Sequence, residues 1–72
     1  MCLTDLGLDQ AGIITSINTA SLNVQRLMVM GLVEGAVIKH LSTAGNAYEF
    51  EVFSNTIAFS KEEAQHFTVE LL

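Results

Sequence analysis

The chain has 72 residues, half of them hydrophobic and 15% charged, with three basic against eight acidic side chains and a formal net charge of -5. That length predicts one domain over residues 1–72, burying only about 60% of the surface that its unfolded form exposes. Acidity repels a polyanion, so nucleic acid and anionic lipid are poor partners; a lone Cys2 offers no disulfide framework; and no stretch approaches the roughly 18 apolar residues of a membrane span or the pattern of a signal peptide. The expectation is a cytoplasmic protein with no direct membrane insertion.

In chain order, Gly12 to Asn18 reads as a first strand with Ile13 and Ile17 on one face and Thr15 between them. Thr19 and Ser21 offer capping hydroxyls. Ser21 to Met30 has no glycine or proline and ends at Gly31, which predicts a short helix with a glycine just past its C-terminus. Gly35 then turns the chain. Ala36–Ser42 and Ala47–Phe53 are the next two strands, joined by a turn over Thr43–Asn46, and Tyr48, Phe50 and Val52 share the inward face of the second.

Ser54-Asn55 is read as another tight turn, Thr56–Phe59 as a short strand, and Phe67–Leu71 as a last strand with Phe67, Val69 and Leu71 alternating. Between them Ser60 and Glu63 have the spacing of a capping box, predicting a helical turn over Lys61–His66. The fold class is therefore mainly β: five short strands curling into a small barrel, with one short helix after the first strand and a helical turn before the last.

The segment Arg26-Leu27-Met28-Val29-Met30-Gly31-Leu32-Val33-Glu34-Gly35-Ala36-Val37-Ile38 resembles the R-L-x-x-M-G-L-x-P-G-x-x-I signature of the ferrous iron transport protein A (FeoA) family, and Ile57–Ala64 running on to Val69 resembles that family's closing elements. Glu34 stands where the family usually has proline, Ser54 where it often has glycine, Phe59 for a usual leucine and Ser60 for a usual basic residue. The connection between the two central strands is also shorter than the family's common loop. The resemblance implies an SH3-like barrel acting as a small cytosolic accessory of bacterial ferrous iron uptake. It further implies binding to, and regulation or assembly of, the FeoB transporter through its cytoplasmic nucleotide-binding domain.

Catalytic signatures are missing: there is no phosphate loop, no nucleophile elbow, and no Cys-x-x-Cys or His-Glu-x-x-His pair. Glu49 and Glu51 share one strand face and could act as an acid and base pair, but a solvated outer face opposite Tyr48, Phe50 and Val52 accounts for them. Cys2, His40 and His66 are the soft or borderline ligands, too far apart in sequence for a standard metal site. His40 and His66 are read as exposed histidines without a metal. No catalytic, cofactor or metal residue is assigned, and a divalent metal such as ferrous iron is the cofactor left to consider.

The predicted helix is the most informative surface. A 3.6-residue wheel turns Leu27 and Met30 to the barrel and leaves Met28 and Val29 on the opposite side beside Gln25. Gln25, Met28 and Val29 are therefore the candidate partner or self-association patch, unless Leu3, Leu6 and Leu8 fold over it. Two other readings compete: a metal-sensing module like the C-terminal SH3-like domain of iron-dependent repressors, and a small iron metallochaperone, which would need His40 or His66 as ligands.

Overall fold

The computed structural model describes residues 1–19 and 21–72. After a 3-10 turn at Leu3–Asp5, the elements are β1 (Ala11–Ile17), α1 (Leu22–Val29), β2 (Val37–Ala44), β3 (Ala47–Val52), β4 (Asn55–Ser60), α2 (Lys61–Ala64) and β5 (Phe67–Leu71). The strands form a five-stranded sheet in the order β4-β3-β2-β1-β5, with every neighbouring pair antiparallel. This is the expected architecture with one difference: the sheet does not close, because β4 and β5 do not pair. Helix α2 leads from one of these edges to the other and packs on the 3-10 turn.

Strand β1 departs from simple alternation. Ile14 pairs with Val69 and Ser16 with Thr68, so the register slips at Thr15. A bulge of this kind changes which face the following residues take. Ile14 is therefore the fully buried residue, and Ile17, three positions on, also packs against the core, while Ile13 is only half-buried. The sequence expectation that Ile13 and Ile17 share one face fails because it assumed an unbroken period of two.

Ser21 caps α1 by accepting a hydrogen bond from the Asn23 amide at 3.2 Å. At the other end the Gly31 amide donates to the Met28 carbonyl and the Leu32 amide to the Leu27 carbonyl. These two bonds make a Schellman closure, which needs a left-handed residue just past the helix; Gly31 supplies it at φ 113. Leu27 and Leu32, which bracket the closure, are both buried in the core.

Two bonds tie the segment leading into β2 onto β1: Gly35 donates to the Ile14 carbonyl at 2.7 Å and Ile14 to the Ala36 carbonyl at 3.0 Å. Strands β2 and β3 turn at Gly45-Asn46, and β3 and β4 at Phe53-Ser54, both residues of the second turn having positive φ (51 and 67). Asn55 is thus the first residue of β4 rather than part of the turn. Beyond β4, Ser60 and Glu63 form the predicted capping box, each side chain bonding the other's amide, and α2 is a single turn.

The core is a row of rings flanked by aliphatics. His40 stacks on Phe50 with centroids 4.8 Å apart, Phe50 on Phe59 at 5.1 Å, and Phe59 meets Phe67 at 6.3 Å. Leu3 and Leu6, from the N-terminal segment, are buried against the same cluster with Ile14, Val24, Leu27, Leu32, Ile38, Val52 and Val69. Among the described residues no helix is long and apolar enough to cross a membrane.

Candidate partner-binding surface

Helix α1 buries Val24 and Leu27, with Met28 half-buried against the core. This is the i, i+3, i+4 stripe of an amphipathic helix. Val29, by contrast, is 89% exposed, and Gln25 is exposed with its side-chain amide donating to the Thr19 carbonyl at 3.1 Å. Of the three residues predicted as a patch, the structure leaves Gln25 and Val29 on the surface and turns Met28 inward.

Met30 was expected on the barrel side but is 49% exposed. It is the C-cap, with φ -83 and ψ 0, so helical spacing no longer sets where its side chain goes. The N-terminal leucines do not cover the helix. Leu3 and Leu6 enter the core, and Leu8 is exposed.

The apolar surface continues beyond the helix through a residue that the sequence reading missed. Phe53, at the β3–β4 turn, is 67% exposed, and its ring lies over Gly31: a Cβ built on that glycine would stand 3.0 Å from Phe53 Cδ2. The ring also borders a groove of about 400 Å³ lined by Ala11, Gly35 and Val37, with Lys39 and Glu51 facing each other across β2 and β3. A bulky side chain at positive φ is strained backbone, of the sort found at functional turns. The available signal was parity: Phe53 falls in step with Glu49 and Glu51, the outward residues of β3, and out of step with the buried Phe50 and Val52.

The histidines and carboxylates take other roles. His40 is buried, not exposed as expected. It alternates with exposed Lys39 and shares the inward face of β2 with Ile38, so its ring enters the core, where Nδ1 lies 2.9 Å from the Leu6 carbonyl and Nε2 lies 2.7 Å from Thr43 Oγ1 and 3.2 Å from the Ser42 carbonyl. A carbonyl only accepts, so Nδ1 carries a proton and donates to Leu6, while Nε2 is engaged by the Thr43 hydroxyl, which can donate or accept, and by the Ser42 carbonyl. Neither nitrogen is open to a metal.

Cys2 Sγ points at the Ala64 carbonyl, 3.7 Å away, and His66 is half-buried beside the end of α2. Among the described residues no group of three or more His, Cys, Asp or Glu side chains could hold a metal ion. Glu49 and Glu51 do lie on the exposed face, where Ser42 Oγ donates to Glu49 and Glu51 stands opposite Lys39. The Glu62 carboxyl is held below its ordinary range chiefly by a backbone hydrogen bond at the start of α2 and then by the Asn46 side-chain amide.

What the chain presents is thus an apolar surface at one end of the helix, bordered by a strained aromatic turn. None of the curated proteins matches the chain in sequence. Among solved structures, the solution structure of FeoA from Chlorobium tepidum matches with a TM-score of 0.91 and 30% identity, over 100% of this chain and 70% of that one.

FeoA from Stenotrophomonas maltophilia, crystallised with zinc and described as a prokaryotic SH3 domain protein, matches with a TM-score of 0.85 and 22% identity over 97% of this chain and 89% of that one. A manganese-dependent transcriptional repressor shares the fold over 36% of its own length and all of this chain, with a TM-score of 0.88 and 17% identity. The fold is therefore SH3-like, and with the FeoA domain model matching residues 1–71, this chain belongs to the FeoA family.

Proposed function

We propose that this chain is a single-domain, cytoplasmic accessory of bacterial ferrous iron uptake. It acts by binding a partner protein, the cytoplasmic nucleotide-binding domain of a FeoB-type transporter, and not by catalysis. Family membership supports the link to iron transport. The observation that carries the binding reading is the exposure of Val29 at 89%, with exposed Gln25 on the same helix and exposed Met30 following it.

An apolar residue so placed contributes nothing to the core, and contiguous exposed apolar surface marks an interaction site. Phe53 beside Gly31 extends this surface with an exposed aromatic ring, a residue type that dominates interface energetics. The metallochaperone reading loses its best ligand, since both nitrogens of His40 are already engaged inside the core.

The test is titration against the soluble nucleotide-binding domain, nucleotide-free and with GDP or a GTP analogue, anaerobically and with or without ferrous iron. Saturable binding that weakens at least tenfold in Val29→Glu, about 1.4 kcal/mol, supports the reading. That substitution should itself leave folding stability within about 0.5 kcal/mol, because the site is on the surface. Binding that is indifferent to Val29→Glu would refute the proposed surface, and no binding in any nucleotide state would refute the partner.

A further inference from the structure

The two edges of the open sheet are treated differently. On β5 the middle of the outer edge is occupied: Val69 donates its amide to the Met1 carbonyl at 2.7 Å and accepts from the Met1 nitrogen at 3.1 Å, and Cys2 bridges Thr68. On β4 the ladder itself tells which backbone groups are free. The hairpin closes through Val52 and Asn55 around a two-residue turn, so Asn55, Ile57 and Phe59 exchange hydrogen bonds with Val52, Phe50 and Tyr48.

Thr56 and Ala58 lie between those positions, and their amides and carbonyls face away from β3. Both residues are exposed. The next outward amide, that of Ser60, is taken by the Glu63 carboxylate at 2.9 Å. The open stretch is therefore Thr56 to Ala58.

Nothing guards it. Exposed edges in natural proteins are blunted by lysine, proline or a bulge. Asn55-Thr56-Ile57-Ala58-Phe59-Ser60 has none of these; both register slips of the sheet lie elsewhere, in β1 and β2. The strand is also free of charge, on a chain whose formal net charge is -5. Another copy of the chain is repelled by most of the surface, but not by this strand. Its outward side chains, Thr56 and Ala58, are small enough to let a neighbouring backbone approach.

We infer that β4 pairs antiparallel with β4 of a second copy, about a two-fold axis at Ile57. Thr56 then exchanges both backbone groups with Ala58 of the second copy, and Ala58 with its Thr56. The second copy is the occupant because this pairing is isologous and closes. Each open edge consumes the other, and growth through β5 is blocked where Met1 and Cys2 already pair. The pairing uses none of the α1 surface, so it stands or falls apart from the transporter reading.

The experiment measures mass by sedimentation from about 10 µM to about 1 mM, a range that brackets weak association, together with residue-resolved amide exchange. Mass should rise from monomer to dimer, and the Thr56 and Ala58 amides should slow at least about tenfold at the top of the range. Thr56→Pro and Ala58→Pro each delete one outward donor without touching the β3 ladder, a placement that edge strands tolerate. Either variant, with a native amide spectrum, should stay monomeric throughout.

A parent protein that remains monomeric, a dimer whose Thr56 and Ala58 amides exchange at the monomer's rate, or a folded proline variant that still dimerises would each overturn the inference. Protection of these amides only on adding an extended segment of another protein would assign the edge to a different occupant and overturn it as well. The parent's mass and exchange decide the matter even if neither proline variant folds.

Discussion

Replacing His40 separates the packing of its ring from its hydrogen bonds. The ring is 5% exposed, stacks on Phe50 and donates to the Leu6 carbonyl at 2.9 Å. His40→Phe keeps an aromatic ring of similar shape in the stack but leaves the Leu6 carbonyl buried and unpaired, at a cost of about 1–3 kcal/mol. Thr43 is exposed, so its hydroxyl turns to water at little further cost. His40→Ala loses the ring as well, and large-to-small core changes of this kind cost about 3–5 kcal/mol.

A 72-residue chain at roughly 0.05–0.15 kcal/mol per residue has about 4–11 kcal/mol in total. His40→Ala therefore removes a large share, and His40→Phe a smaller but measurable one. At about 4–8 °C per kcal/mol for a domain of this size, a 2 kcal/mol loss lowers the melting temperature of His40→Phe by roughly 8–16 °C. Thermal melts of both variants, with nitrogen-15 spectra of the parent imidazole, check the argument. The spectra should show the proton on Nδ1. A His40→Phe protein melting within about 2 °C of the parent, or a parent ring protonated on Nε2 alone, would refute the claim that the Leu6 carbonyl depends on this donor.

Two further outcomes follow from local geometry. Gly31→Ala should cost about 1–3 kcal/mol by forcing a side chain to φ 113, and more than Gly35→Ala. Gly35 is also left-handed, at φ 88, but has open space around it, whereas a Cβ on Gly31 meets the Phe53 ring; denaturant melts of the pair measure the difference. Glu62→Gln should lower thermal stability at neutral pH and converge with the parent as pH falls. A carboxylate whose folded pKa is depressed stabilises the fold above its ordinary range and loses that contribution as it protonates, so melts across the acid range give the sign.

The amino-acid sequence by itself determined the local elements. Alternation over Phe67–Leu71, the capping box at Ser60 and Glu63, and the glycine after Met30 depend on neighbours within a few residues, and each appears where the pattern puts it. The family resemblance carried by Arg26 to Ile38 likewise reaches its structural basis in the Schellman closure and the buried Leu27 and Leu32.

Tertiary structure decided what required knowing where a period breaks. A bulge at Thr15 broke the period that would have kept Ile13 and Ile17 on one face, and the packing of the inward face of β2, which His40 shares with Ile38, set its ring in the aromatic row. The bulge in β1 is not marked by glycine, so period-two reading had nothing to stop it. The end of α1 freed Met30 from helical spacing, and Leu3 and Leu6 went into the core instead of over the helix. The surface that results, Val29 beside Met30 with Phe53 lying over Gly31, joins residues brought together only when the β3–β4 hairpin folds back against the helix C-terminus. Long-range contact of that kind is set by the whole packing of the sheet, and no local pattern encodes it.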